Sequence, residues 1–96
     1  MIELVKTCDA CPEQYDAFLD GKQVGYLRLR HGRFTVNFPD IGGELIYQAE
    51  PRGDGEFFDD ERDYYLKFAV FAIEGRIMFG PVGKLEAPNV QYKIRE

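Results

Sequence analysis

Tyr26, Arg28, Arg30 and Arg33 stand close together in "GYLRLRHGR", and these residue types could bind an anion. In an extended strand Tyr26, Arg28 and Arg30 project from one face, with Leu27 and Leu29 on the other. Arginine forks grip phosphate or carboxylate through paired N–H donors, and a tyrosine ring offers a surface for stacking. Across a hairpin, Arg33, Thr35 and Asn37 would lie beside them. The group predicts a site for a nucleotide, another anionic ligand, a nucleic-acid strand or an acidic partner protein. The bland alternative is a solvated face whose arginines pair with Asp16 or Asp20 on the preceding strand.

A second group is acidic. From Glu50 to Asp63 the chain carries seven acids against only Arg52 and Arg62. Counted from Glu50 as a twelve-residue calcium loop, Asp54 falls fifth, Gly55 sixth, Phe57 eighth and Glu61 twelfth. Glu50, Asp54 and Glu61 are thus candidate calcium ligands. Arg52 in the third position places a cation where an oxygen is needed, and Coulomb repulsion weakens that reading. Alternatively Asp54, Asp59, Asp60, Glu61 and Asp63 form an acidic partner surface that imitates a nucleic-acid backbone. The simplest reading is a glycine-permitted turn leading into a helix whose first turn is rich in acid.

Cys8 and Cys11 form a C-x-x-C. A structural zinc site takes four ligands, so this pair would need its counterpart from a second chain. Two ordinary reduced thiols are expected instead. His31 is the single histidine, and the chain contains no serine, which excludes a serine nucleophile. No phosphate-binding P-loop or dinucleotide glycine motif occurs; "RGDGEF" is acidic where a phosphate cradle would be neutral or basic. The expectation is a protein that is not an enzyme and needs no cofactor, calcium aside.

The elements that must position these groups are read from pattern. Ninety-six residues, 45% of them hydrophobic and 15% aromatic, predict one folded α+β domain spanning residues 1–96. "QYDAFL", Asp20-Gly21, "KQVGYLRLR", His31-Gly32 and "RFTVNF" read as an antiparallel meander with hairpin turns at the two glycines. "ELIYQ" continues it. A helix is expected over Asp59–Glu74, its apolar stripe being Tyr65, Phe68, Ala69, Ala72 and Ile73, with Gly75 as its stop. It would cover the apolar face of the sheet. "RIMF", "KLEA" and "VQYKIR" then read as short C-terminal strands. No apolar run is long enough for a membrane span. The N-terminus lacks the basic start and apolar stretch of a signal peptide, so a cytoplasmic location is expected. The net charge of −5 disfavours nonspecific binding to nucleic acid. It also conceals a basic pole at Lys22–Arg33 and an acidic pole at Glu50–Asp63.

The string "EQYDAFLDGKQVGYLRLRHGRF", followed by "GGELIY" and "GDGEFFDDER", resembles small proteins encoded by bacteriophages and prophages. The likeness runs from Cys11 to Ile73, and "VGYLRLRHG" is its most distinctive part. No activity is attached to the pattern, so it implies no catalytic residue. It implies an accessory protein acting inside a bacterial cell by binding, for instance by antagonising a host or defence protein or by sequestering an anionic ligand. Two other readings stand beside it: a calcium- or zinc-binding regulatory module, and an oligomeric component of a virion or its assembly.

Overall fold

The computed structural model describes residues 1–8, 12–80 and 92–95. Six strands and one helix follow one another as β1 (Ile2–Cys8), β2 (Glu13–Leu19), β3 (Lys22–Arg30), β4 (Arg33–Phe38), β5 (Glu44–Ala49), α1 (Asp59–Phe79) and β6 (Tyr92–Arg95). The fold is α+β. The strands form one sheet in the order β5-β4-β3-β2-β1-β6.

The meander from β2 to β5 is the expected one, and its turns explain why. Asp20 and Gly21 have φ of 52° and 81°, His31 and Gly32 of 54° and 74°. Two consecutive left-handed residues make the tight turn whose twist matches paired strands. Glycine in the second position meets this requirement without cost, and Asp or His tolerates the first.

Two features differ from expectation. β1 lies outside the expected meander; Ile2 and Leu4 are buried, and the strand pairs antiparallel to β2. β6 then pairs parallel to β1, so the sheet is mixed rather than wholly antiparallel. A strand added at the far edge after a helical crossover can run parallel, whereas a two-residue hairpin only yields antiparallel neighbours.

The helix is also longer than its pattern predicts. It passes through Gly75 and ends at Gly80, whose φ is 76° and whose N–H donates to the Arg76 carbonyl at 3.0 Å. The expected strand "RIMF" is therefore the helix's last turn. Gly75 weakens a helix by about 1 kcal/mol relative to alanine, and contacts beyond it outweigh that. Arg76 pairs with Glu44 at 2.9 Å and lies over the Phe38 ring at 4.8 Å. "KLEA" lies outside the described residues, and "VQYKIR" contributes Tyr92–Arg95 as β6.

One face of the sheet makes the core. Leu4, Tyr15, Ala17, Leu27, Leu29, Phe34 and Val36 are fully buried there, against Leu66, Ala69, Val70 and Ile73 of α1. Leu66 and Val70 join the expected Ala69 and Ile73, while Tyr65 is half-buried at the margin. A register shift between Ala17 and Phe18 buries both Val24 and Gly25 on β3. A Cβ on Gly25 would stand 2.5 Å from Ile73 Cδ1, so the tip of that side chain would have to shift to admit one. No described element covers the opposite face. Asp16, Tyr26 and Asn37 lie side by side there on β2, β3 and β4, and Gln14, Arg28 and Thr35 form the next row.

Candidate anion-binding site

The segment from Glu50 to Phe58 carries no helix or strand, yet two carboxylates fix it. Glu61 is only 7% exposed, and it accepts from the backbone N–H groups of Arg52 at 2.9 Å, Gly53 at 2.9 Å and Phe58 at 3.0 Å. Phe58 has no polar side chain with which to cap α1, and Glu61 reaching back to its amide supplies half of a capping box. Burial pushes the Glu61 carboxyl up, but the three amides and the Arg52 charge outweigh it and hold it below its usual range.

Glu13, fully buried at the start of β2, secures the other end. It accepts from the Phe57 amide at 3.0 Å, the Tyr15 hydroxyl at 2.5 Å and Arg62 Nε at 2.9 Å. Burial raises the Glu13 carboxyl, and donation from Arg62, Tyr15 and Phe57 prevails, so its pKa is lowered. Burial and the neighbouring Glu13 raise the Tyr15 phenol strongly. Sequence pattern gave no sign of this cluster, because a glutamate two residues before a tyrosine reads as an ordinary alternating strand.

Fixed in this way, the segment meets the arginine strand. The Glu13 amide donates to the Gly55 carbonyl at 2.8 Å, and the Gly32 amide to the Asp54 carbonyl at 2.7 Å. Asp54 is thereby laid against the His31-Gly32 turn. Arg28, Arg30 and His31 line a cleft of about 550 Å3 together with Gln14, Asp54 and Gly55. The two poles of the sequence are not opposite each other; at Asp54 they share one cleft.

The expected anion-binding residues divide. Arg28 and Arg30 share the cleft, and Asp16 and Asp20 form no ion pair with either among the described residues. Asp16 lies on the same face, and burial raises its carboxyl. Tyr26 plays a supporting part: its ring lies under the Arg28 guanidinium at 6.0 Å, and its hydroxyl donates to Gln14 Oε1 at 3.0 Å. That places it as a brace for two cleft residues. Arg33 lies opposite Arg30 across the β3–β4 hairpin, as expected. It donates to Gln48 Oε1 and lines a separate cleft of about 510 Å3 with Glu50.

The acidic groups divide as well. Glu50 lines the Arg33 cleft, Asp54 lines the Arg28 cleft, and Glu61 is committed to backbone amides. The expected calcium ligands are thus not gathered, and among the described residues no three His, Cys, Asp or Glu side chains form a group able to hold a metal ion. Of the expected acidic surface, Asp59 pairs with Arg62 at 2.7 Å, Asp60 with Arg52, and Asp63 with Lys67 at 3.3 Å and the Tyr92 hydroxyl at 2.6 Å. Glu61 is withdrawn from that surface altogether. Cys8 ends β1 half-buried, and Cys11 lies outside the described residues, so the zinc pair is not described as a unit.

Comparison with protein-family models, curated proteins and solved structures returns no match. No helix among the described residues is long and apolar enough to cross a membrane.

Proposed function

We propose that this protein is a non-enzymatic binding protein whose working surface is the uncovered end of β3, where Arg28 and Arg30 take an anionic group. One observation carries the reading. Arg52, Arg62, Arg76 and Arg95 each hold a carboxylate, whereas Arg28, Arg30 and Arg33 hold none among the described residues, and of these three only Arg33 donates to another side chain, that of Gln48. In a chain with seventeen acids and twelve lysines and arginines, two guanidinium groups left over on one face favour a ligand from outside. Guanidinium binds phosphate and carboxylate in paired geometry, and the Tyr26 ring lies 6.0 Å from the Arg28 guanidinium.

The resemblance to phage-encoded proteins supplies the setting in this proposal: an accessory protein in a bacterial host, antagonising a host factor or sequestering an anionic ligand. The test is the melting temperature in rising inorganic phosphate against chloride of equal ionic strength. Phosphate should raise it by the mass-action relation for a ligand that binds only the folded state. The variant Arg28→Gln/Arg30→Gln should lose that rise, while Asp59→Asn/Asp60→Asn keeps it. Equal rises in all three proteins would overturn the proposal.

A further inference from the structure

The cleft holds an unpaired acid as well as unpaired bases. Among the described residues Asp54 has no ion pair and no side-chain hydrogen bond, although it lines the same cleft as Arg28 and Arg30. Opposite charges so placed would ordinarily close on each other. The backbone fixes the wall that carries the acid. The Asp54 carbonyl is fastened to Gly32 and the Gly55 carbonyl to Glu13, while Tyr26 braces Arg28 from the strand side. The Asp54 carboxylate lies over Gly32, with Oδ1 3.6 Å from where a Cβ would stand. The acid thus lines the cleft from a fixed loop, and the two bases line it from β3.

We propose that this cleft takes a small phosphate monoester carrying hydroxyl donors, of the nucleoside monophosphate class. The phosphate lies on Arg28 and Arg30, and the sugar hydroxyls donate to Asp54. Each part follows from the chemistry of the walls. Two guanidinium groups against one carboxylate leave an excess of positive charge, which suits a phosphate dianion. The carboxylate accepts hydrogen bonds and repels a second phosphate, so the ligand needs a neutral donor on that side. A cleft of about 550 Å3 is far larger than a free phosphate ion and within the range of small-ligand sites. A nucleic-acid strand fits less well. It would have to extend its backbone past Asp54, into the neighbouring cleft where Glu50 accompanies Arg33, or along the uncovered face past Asp16. This inference rests on the anion reading above and names the class of ligand.

Calorimetric titration of the full chain tests it with four probes: a nucleoside 5′-monophosphate, its 2′,3′-dideoxy counterpart, inorganic phosphate and a short single-stranded oligonucleotide. The monophosphate should bind about tenfold tighter than the dideoxy compound, the effect of one hydrogen bond to a charged acceptor. Asp54→Asn should remove that preference, and Arg30→Gln should weaken every probe. The dideoxy comparison needs no variant, so it stands even if Asp54→Asn alters the loop. Equal affinity for the monophosphate and its dideoxy form would overturn the assignment of Asp54 and leave the anion reading intact. Tighter binding of the oligonucleotide would overturn the small-ligand class. No binding of any probe would overturn both.

Discussion

Arg62 donates through Nε to Glu13 Oε2 at 2.9 Å, joining the first turn of α1 to the first residue of β2 across 49 positions of sequence. The same guanidinium reaches Asp59 at 2.7 Å and the Phe57 carbonyl at 3.0 Å. Removing one partner of a buried ion pair strands the other charge, at a cost of about 3–5 kcal/mol. Arg62→Met should therefore lower the stability measured by urea unfolding by about 3 kcal/mol, since Arg62 keeps some contact with solvent. Adding Glu13→Leu should restore part of the loss, because the stranded carboxylate is then gone.

Acid should weaken the fold through the same groups. The Glu13 and Glu61 carboxyls lie below their ordinary 4.5 in the folded chain. A lowered folded pKa means that their stabilisation is fully present above the unfolded value and disappears as pH falls through the folded one. Urea midpoints should hold steady above about pH 5 and decline progressively below about pH 4.5. In Glu61→Gln the decline should be shallower. An unchanged profile in that variant would mean that Glu61 contributes nothing to the acid sensitivity.

Glu61 also separates the structural reading of the acidic segment from the calcium reading. Glu61→Ala deprives three backbone amides of their acceptor and should cost about 2 kcal/mol or more. Asp60→Asn breaks only an exposed pair with Arg52 and should cost less than about 1 kcal/mol. Millimolar calcium should leave the melting temperature of the unaltered protein where it is. A calcium-dependent rise would mean that Glu61 exchanges its amides for a metal ion.

Gly25 tests how the helix sits on the sheet. In Gly25→Ala the new Cβ would press against Ile73 Cδ1 and lie 3.3 Å from the Ala17 Cβ. Overpacking of this kind costs about 1–3 kcal/mol. Ile73→Val removes the offending methyl, so the double variant should be less destabilised than the sum of the two single changes. Thermal unfolding of the four proteins closes the cycle.

The parts legible in sequence are those governed by neighbours along the chain. Asp20-Gly21 and His31-Gly32 announce their turns because the two-residue hairpin requires left-handed backbone at both positions. The alternation Leu27/Arg28/Leu29/Arg30 separates a buried from an uncovered face, which is why Arg28 and Arg30 were identifiable as a pair. What stayed hidden depends on contacts between distant segments. Nothing local to Asp54 indicates that Gly32 and Glu13 draw its loop into the arginine cleft. Nothing local to Glu61 distinguishes a carboxylate facing solvent from one that caps three amides. Gly75 misleads for the same reason: its local preference is to end a helix, and Arg76 on Glu44 and Phe38 carries the helix past it.

Arg28 and Arg30, without carboxylate partners among the described residues, are proposed to bind an anion in the cleft they share with Asp54. Amide chemical shifts followed through a titration with inorganic phosphate test it most directly. Saturable shifts are expected at Gln14, Arg28 to Gly32, Asp54 and Gly55, all absent in Arg28→Gln/Arg30→Gln. Shifts of equal size in that variant, or shifts centred on the first turn of α1, would contradict it.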